Sequence, residues 1–188
     1  MTVGMKKLFL HIGPPKTGST TVQEFLHAHS ADLLSEGILF PVSSRARAGE
    51  SFLLIRQDDR TRLSAPLTSH LVLGYSLRGQ IDGIEADCCW AELLNEISNA
   101  NPETVLLSAE IFGNLSMEHI YKIKEYLRDF DVHIIVYIRE PFARILSQWT
   151  QSVKTGRCYQ SLRRYISRRA DHLVEEYTEL IEAWAQVF

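Results

Sequence analysis

Short apolar runs alternate along this chain with segments whose apolar residues recur every three or four positions. Three continuous apolar runs have the length of buried strands, at residues 7–12, 104–108 and 132–138. Helical spacing is found from Ser19 to the stop signal at Gly37, in 68–77, in 90–97, after the capping residue Ser116 and from Pro141. A last amphipathic helix is predicted for residues 171–188, and residues 41–66 are predicted to be irregular.

This order of elements predicts the fold class. Continuous apolar strands that alternate with amphipathic helices indicate an α/β fold, with a central parallel sheet flanked by helices on both faces. Such sheets bind ligands beyond the carboxyl ends of their strands. A chain of 188 residues, with 45% hydrophobic and 23% charged residues, is expected to form a single domain over residues 1–188 and is unlike disordered or coiled-coil sequences.

Composition excludes several classes of function. No apolar run approaches the roughly 20 residues that span a bilayer, and the first residues do not resemble a signal peptide. The net charge of -3 gives no general attraction to nucleic acid. The three cysteines, Cys88, Cys89 and Cys158, lack the spacing of a metal knuckle or of a disulfide framework, so we expect reduced thiols, no metal and a cytoplasmic protein.

The most informative stretch, residues 11–23, lies between the first strand and the first helix. Tight glycine turns and helix N-termini present backbone N–H groups that bind anions. Lys16 adds a mobile positive charge, and the hydroxyl residues Ser19, Thr20 and Thr21 follow at the helix start. The alternative is a glycine turn that only caps a helix, which we consider the weaker interpretation for this cluster of residue types.

The same stretch is close to the phosphate loop of nucleotide triphosphatases, GxxxxGK[ST], but departs from it. Gly13 and Gly18 have the required separation and Thr20 fits the last position, whereas Ser19 stands where the lysine belongs. No acidic residue that would hold Mg²⁺ directly follows the 104–108 strand. The sequence therefore disfavours a metal-dependent phosphoryl transferase.

A second informative stretch covers residues 137–149, at the next junction of a strand with a helix. Arg139 lies where the strand is predicted to end, and an arginine there can bind a phosphate through two hydrogen bonds. Arg144, Ser147, Gln148 and Gln151 share a helical face that could border a ligand. The alternative is a structural ion pair between Arg139 and Glu140.

Together the two stretches resemble the sulfotransferase family, and most closely its bacterial carbohydrate sulfotransferases. Residues 15–21, PKTGSTT, are similar to the family's loop for the 5′-phosphosulfate of 3′-phosphoadenosine 5′-phosphosulfate (PAPS). Arg139, Pro141, Arg144, Ser147 and Trp149 are similar to its 3′-phosphate motif, with Glu140 where aspartate or asparagine is commoner. Weaker similarity extends over nearly the whole chain.

The resemblance implies a fold and a reaction. The sheet would be like that of phosphate-loop proteins, and the chain would be cut short at its C-terminus compared with the family. A sulfuryl group would pass from PAPS to an acceptor hydroxyl without a metal, leaving 3′-phosphoadenosine 5′-phosphate (PAP). The 5′-phosphosulfate would be bound by Lys16, Thr17, Gly18, Ser19, Thr20 and Thr21. Arg139 and Ser147 would bind the 3′-phosphate, and Lys16 would stabilise the leaving phosphate.

The family's reaction also needs a general base to accept the acceptor's proton. Glu110 is the first candidate, because it follows the 104–108 strand at the carboxyl edge of the predicted sheet. His70 is the second, at the start of a helical segment in the region that would cover the site. His11 lies within the first strand and is expected to be packed, whereas His27, His29 and Glu36 are further alternatives that the sequence does not separate.

The acceptor is expected to be a carbohydrate or another small molecule with a hydroxyl group. A basic run from Lys154 to Arg169 is followed by acidic residues 171–182, and solvated helix faces are the simplest interpretation of both. Contacts from the arginines to the donor or to an anionic glycan are the alternative. Two other functions stay open: a nucleotide kinase or triphosphatase with a degenerate phosphate loop, and a non-catalytic nucleotide-binding module.

Overall fold

The computed structural model describes residues 5–45, 51–55, 60–64, 68–81, 83–169 and 172–188. Its strands are β1 (Lys6–His11), β2 (Ile38–Leu39), β3 (Ser51–Ile55), β4 (Arg60–Ser64), β5 (Thr104–Ser108) and β6 (Phe130–Ile135). Its helices are α1 (Ser19–Ala28), α2 (Ser30–Ser35), α3 (Leu71–Leu77), α4 (Ala86–Ala100), α5 (Met117–Tyr126), α6 (Pro141–Lys154), α7 (Leu162–Ser167) and α8 (Leu173–Ala185). A 3-10 helix, Glu110–Asn114, follows β5.

Four strands form a parallel sheet in the order β2-β5-β1-β6, which confirms the predicted α/β fold with a parallel central sheet. The register pairs His11 of β1 with Ser108 of β5 and with Ile135 of β6. The carboxyl ends of these three strands therefore meet at one edge of the sheet. The loops that leave this edge begin at residues 12, 109 and 136.

One face of the sheet carries the main core. Leu8 and Leu10 of β1 are fully buried and share a hydrophobic cluster with Trp90 of α4, Ile123 of α5 and Trp184 of α8. The opposite face holds His11 and Ser108, since side chains alternate along a strand. Gln23 of α1 reaches this second face through a hydrogen bond to Ser108. Helices therefore contribute contacts to both faces of the sheet.

Several predicted boundaries differ from the structure. The helix expected from Ser19 to Gly37 is two helices, α1 and α2, which meet at His29. Helix α3 begins at Leu71 rather than at residue 68, because the His70 N–H donates to the Ser108 carbonyl and ties this segment to β5. Helix α4 is longer than predicted and has Cys88 and Cys89 in its first turn, whereas α8 is shorter than residues 171–188.

The interpretation of residues 41–66 as irregular is wrong for two segments. Strands β3 and β4 pair in an antiparallel, two-stranded sheet, with Ser51 opposite Ser64 and Ile55 opposite Arg60. The apolar run at residues 52–55 was the signal for this hairpin. In the described part of the chain, no helix has the length and apolar character needed to cross a membrane.

Candidate functional site

The loop between β1 and α1 turns sharply beside the start of the 3-10 helix. Gly13, Lys16 and Gly18 have positive φ angles of 86°, 72° and 95°. A Cβ atom on Gly13 would lie 3.0 Å from the carbonyl oxygen of Glu110, so glycine is needed there both for its φ angle and for this close approach. The loop then enters α1, whose first backbone N–H groups have no partner within the helix. These amides lie where the sequence predicts an anion site.

The hydroxyl groups of the loop have different partners. The Ser19 hydroxyl is buried and donates to Oε1 of Glu110, and Thr17 donates to the Pro14 carbonyl at 2.8 Å. Thr20 and Thr21 are exposed in the first turn of α1. Of the predicted anion-binding hydroxyls, Thr20 and Thr21 therefore face solvent, whereas Ser19 and Thr17 hold the loop in shape.

Glu110 lies where the sequence places it, just beyond the carboxyl end of β5 and beside β1. Its side chain is half-buried and accepts the hydrogen bond from Ser19. The second carboxylate oxygen of Glu110 has no partner recorded among the described residues. A carboxylate is thus fixed at the first turn of α1, within the same loop system as Lys16.

The second junction connects β6 to α6. Strand β6 ends at Ile135 rather than at residue 138, because its partner β1 leaves the sheet after His11. Glu140 accepts hydrogen bonds from the backbone N–H groups of Phe142 and Ala143, at 2.9 and 2.7 Å, and so caps α6.

Arg139 connects the two junctions. Its Nη1 donates to the Lys16 carbonyl at 3.0 Å, and its side chain is otherwise exposed. A guanidinium group has five N–H donors, so this bond leaves others free for a ligand. The alternative of an ion pair with Glu140 is not seen, since both carboxylate oxygens of Glu140 cap α6.

Lys16, Arg139 and Ser147 line one cavity, which we call the basic cavity. It has a volume of about 490 Å³, and its walls also include Ala143, Leu146, Thr150, Gln151 and Lys154. Three cations and no acidic residue belong to this set. The structure thus brings Lys16, Arg139 and Ser147 together, although Lys16 and Arg139 lie 123 positions apart in the chain. The other predicted residues, Thr17, Gly18, Ser19, Thr20, Thr21 and Glu110, do not line this cavity.

The predicted polar face of α6 is divided between two sites. Ser147 and Gln151 line the basic cavity, but Arg144 and Gln148 line another one, which we call the acidic cavity. Arg144 is only 4% exposed, and its Nη2 lies 3.0 Å from Oε2 of Glu176 in α8. Its Nε donates to the Pro15 carbonyl at 3.4 Å. Arg144 therefore supports the loop from the side opposite the basic cavity.

Tyr177 is a residue whose contribution the sequence did not reveal. Its hydroxyl accepts from the Arg139 N–H at 3.3 Å and donates to the Arg139 carbonyl at 3.1 Å. The Arg144 guanidinium lies 4.9 Å from the centre of its ring. In the sequence Tyr177 belongs to the apolar stripe of the last helix, together with Leu180, Ile181 and Trp184. Its hydroxyl, which the other three lack, was the one available signal that this residue also makes hydrogen bonds.

His70 occupies a different environment from Glu110. Its side chain is completely buried, and Nδ1 accepts from the Ser108 N–H at 3.1 Å, so Nε2 carries the proton and donates to the Pro41 carbonyl at 3.1 Å. Burial, with a smaller contribution from the nearby Arg45 charge, lowers the pKa of His70 to about 4. Both ring nitrogens are therefore engaged by the backbone.

A second buried histidine lies under the loop. Nδ1 of His11 is 2.7 Å from Oγ of Ser108, which also accepts from Nε2 of Gln23 at 2.9 Å. Nε2 of His11 has no partner among the described residues, and burial lowers the pKa of His11 to about 4. This small network joins the ends of β1 and β5 to α1 on the second face of the sheet.

The remaining candidates lie away from the basic cavity. His27 is 2.9 Å from Nη1 of Arg45, while His29 and Glu36 are exposed near α2. Of the basic run, Lys154 lines the basic cavity, and Arg169 lies over the ring of Tyr165. Where the structure describes the chain, no group of three His, Cys, Asp or Glu side chains is arranged to hold a metal ion, and all three cysteines are free thiols.

Comparison of the chain with models of known protein families, with curated proteins and with solved structures finds no match.

Proposed function

We propose that this chain is a sulfotransferase that moves a sulfuryl group from PAPS to an acceptor hydroxyl. The observation that carries the proposal is the basic cavity, where Lys16, Arg139 and Ser147 come together between two strand-to-helix junctions. A donor with phosphates at both its 5′ and 3′ positions needs two such anion sites. The cavity also lies at the carboxyl edge of the sheet, where α/β proteins bind ligands.

The two junctions suit different parts of the donor. The amides at the start of α1, with Thr20, Thr21 and Lys16, would bind the 5′-phosphosulfate. Arg139 and Ser147 would bind the 3′-phosphate, and Lys154 adds a third positive charge to the same cavity. Ala143 and Leu146 give the cavity an apolar wall on which an adenine ring could lie. The side chain of Arg139 is exposed, so a ligand can reach its guanidinium without a change in the fold.

The reaction would be an in-line displacement at sulfur. A new bond forms between the acceptor oxygen and sulfur, while the bond between sulfur and the bridging oxygen breaks and its electron pair leaves with PAP. Lys16 would stabilise the negative charge that develops on this bridging oxygen. The proton of the acceptor hydroxyl would pass to Glu110. Catalysis of this kind depends on positioning and on charge stabilisation, which is the chemistry of loose phosphoryl transfer.

The geometry favours Glu110 over His70 as the base. Glu110 is half-buried and is held by Ser19 at the start of α1. His70 is fully buried and uses both ring nitrogens in hydrogen bonds with the backbone, so it has no free nitrogen for an acceptor. We therefore assign the proton to Glu110 and a structural role to His70.

A nucleotide kinase or triphosphatase is less well supported. Ser19 occupies the position of the phosphate-loop lysine, and its hydroxyl is already bonded to Glu110. The basic cavity instead offers an arginine and a serine on the far side from α1, where a 3′-phosphate would lie. The free thiols are in keeping with the cytoplasmic location that we propose for the chain.

Thermal unfolding in the presence of PAP, AMP and ATP tests this proposal. A ligand at about 100 times its Kd stabilises the folded state by about 2.7 kcal/mol. For a protein of this size we expect PAP to raise Tm by about 5–10 °C, and AMP to raise it much less. Arg139→Ala should remove the difference between PAP and AMP. Arg128→Ala is the matched control, because exposed Arg128 pairs with Asp129 outside the basic cavity.

Two results would contradict the proposal. Equal shifts with PAP and AMP would remove the basis for a 3′-phosphate site, and a larger, Mg²⁺-dependent shift with ATP would favour the kinase alternative. Tight PAP binding without sulfation of any compound in a broad panel of hydroxyl acceptors would indicate a non-catalytic nucleotide-binding module.

A further inference from the structure

The β1–α1 loop holds Lys16 in an uncommon backbone conformation. Its φ angle is 72°, in the left-handed region that residues other than glycine rarely adopt. A lysine keeps such a conformation only where its surroundings hold it there. The backbone sets the direction in which the Lys16 side chain leaves the loop, toward the basic cavity that it lines. The contacts that fix this backbone therefore also place the amine.

Two arginines hold the peptide groups on either side of the Lys16 Cα. Nε of Arg144 donates to the Pro15 carbonyl at 3.4 Å, and Nη1 of Arg139 donates to the Lys16 carbonyl at 3.0 Å. A peptide group is planar, so a hydrogen bond to its carbonyl also restricts the N–H of the next residue. Together the two bonds restrict both backbone torsions of Lys16 and the N–H groups of Lys16 and Thr17.

The two contacts are supported to different degrees. Arg144 is 4% exposed, pairs with Glu176 at 3.0 Å and lies 4.9 Å from the centre of the Tyr177 ring, so it is in place without a ligand. The Arg139 side chain is exposed, and in the described part of the chain its one hydrogen bond is to Lys16. A single hydrogen bond from an exposed arginine is weak, because holding the long side chain costs conformational entropy.

A phosphate bound to Arg139 would strengthen the weaker contact. The proposed 3′-phosphate would bind other N–H groups of the guanidinium, which has five donors in one rigid plane. Because the plane is rigid, a phosphate that fixes it also fixes Nη1 against the Lys16 carbonyl. Arg139 and Lys16 line the same cavity, so one ligand can reach both. One side chain thus joins the two proposed anion sites.

We propose that Arg139 positions Lys16 as well as binding the donor: the 3′-phosphate fixes the guanidinium, and the guanidinium fixes the Lys16 backbone. The inference rests on the proposed function, which supplies the 3′-phosphate. A nucleotide without this phosphate would bind the loop and leave Lys16 incompletely ordered. Such nucleotides would be discriminated twice, by affinity and by the placement of the amine that stabilises the leaving group.

Hydrogen exchange of the loop amides, measured by mass spectrometry on the full chain, tests the inference. Pro14 and Pro15 have no N–H, so residues 13–18 contribute only four backbone amides. The probes are PAP, AMP and adenosine 2′,5′-diphosphate, each at a saturating concentration. The last has the charge of PAP but a displaced second phosphate. We expect the loop to exchange about 5-fold more slowly with PAP than with either of the others, because one more hydrogen bond is fixed.

Arg139→Lys separates positioning from charge. Lysine keeps a positive charge for the phosphate but has a single nitrogen on a flexible stem, so it cannot hold phosphate and carbonyl in one rigid group. PAP should still stabilise this variant more than AMP does, while the loop exchanges at the same rate with both nucleotides. Arg128→Lys is the matched control and should keep the full difference, because exposed Arg128 pairs with Asp129 outside the basic cavity.

The outcomes separate this inference from the proposed function. If PAP raises Tm more than AMP but the loop exchanges equally with both, Arg139 only binds the donor, and the inference is wrong while the proposed function stands. If PAP raises Tm no more than AMP, both fail. Equal slowing by adenosine 2′,5′-diphosphate and PAP would also overturn the inference, and so would an undiminished difference in Arg139→Lys, because neither result requires a 3′-phosphate held by the guanidinium.

Discussion

The two cavities beside the β1–α1 loop have similar volumes and opposite charge. The basic cavity is lined by Lys16, Arg139 and Lys154 with no acidic residue, whereas the acidic cavity has Glu176 and Glu179 with one arginine. A single stretch of loop, Pro14 to Lys16, separates them. The difference indicates that one side suits a multiply charged anion and the other suits a neutral or cationic molecule.

Two arginines of the same segment illustrate the contrast. Arg139 and Arg144 donate to consecutive loop carbonyls, those of Lys16 and Pro15. Arg139 is exposed and has no carboxylate partner among the described residues, so its charge is available to a ligand. Arg144 is buried, and Glu176 neutralises its charge. The same residue type therefore presents its charge to solvent in one cavity and supports the loop in the other.

The largest effect that would sharpen this comparison is expected for Lys16→Ala. If Lys16 acts mainly on the charge that develops in the transition state, its loss should lower kcat by about 10²- to 10³-fold and PAP affinity by much less. Steady-state kinetics combined with PAP titration separate the two quantities.

Lys154→Ala is the matched control for Lys16→Ala. Lys154 lines the same basic cavity but lies at the far end of α6, away from the loop. Its removal should weaken PAP binding and leave kcat nearly unchanged. If both variants lower affinity and kcat in the same proportion, Lys16 contributes only to binding, and the distinction between the loop and the rest of the cavity disappears.

The next effect concerns the two buried histidines, which both contact Ser108 at the end of β5. Burial lowers the pKa of His11 and of His70 to about 4, compared with 6.5 for an unperturbed histidine. Between pH 6.5 and 4 the unfolded chain binds protons that the folded chain excludes, so the free energy of unfolding should fall as the pH falls. The loss is about 3 kcal/mol for each histidine over this window.

Urea unfolding at a series of pH values measures this dependence. Compared with the unsubstituted protein, His11→Gln should lose roughly half of the histidine contribution to the slope. A slope that is the same in both proteins would show that His11 is protonated as readily in the folded state as in the unfolded state.

The central sheet was predictable from the sequence for a simple physical reason. The side chains of the continuous apolar runs at 7–12 and 104–108 leave water only when both faces of the strand are covered, as they are in a parallel sheet flanked by helices. The structure has parallel strands at both places. Strand ends were less predictable, because they depend on the partner. Residues 136–138 are as apolar as the preceding strand, yet β1 has already left the sheet beside them.

The candidate site also has residues that the sequence could reveal and residues whose role depends on packing between distant elements. Lys16, Arg139 and Ser147 could be found because residue type and position at a strand-to-helix junction carry the signal. Tyr177 and Glu176 could not, because their contacts arise only when α8 packs against α6. His70 illustrates the opposite case: a histidine at a helix start is compatible with catalysis in the sequence, whereas its burial and its two backbone partners favour a structural role.

A smaller effect is expected for Ser147→Ala in the basic cavity. Loss of one hydroxyl bond to a charged phosphate should weaken PAP binding by about 10- to 150-fold, since hydrogen bonds to charged groups contribute about 1.5–3 kcal/mol. AMP binding should be unaffected, because Ser147 is assigned to the 3′-phosphate. Calorimetric titration with both nucleotides checks this. Ser167→Ala in α7, outside the cavity, should change neither affinity, and an equal loss for AMP would place Ser147 elsewhere on the ligand.

The smallest effect is expected for Tyr177→Phe, which acts on the basic cavity from the side of α8. The substitution keeps the ring beneath Arg144 but removes both hydrogen bonds to the Arg139 backbone. Arg139 would then be held less firmly, and the preference for PAP over AMP should fall by about 3-fold, with the affinity for AMP itself unchanged. Tyr165→Phe is the control, because Tyr165 lies in α7 away from Arg139. A uniform loss of affinity for both nucleotides would indicate that Tyr177 stabilises the fold in general and does not position Arg139.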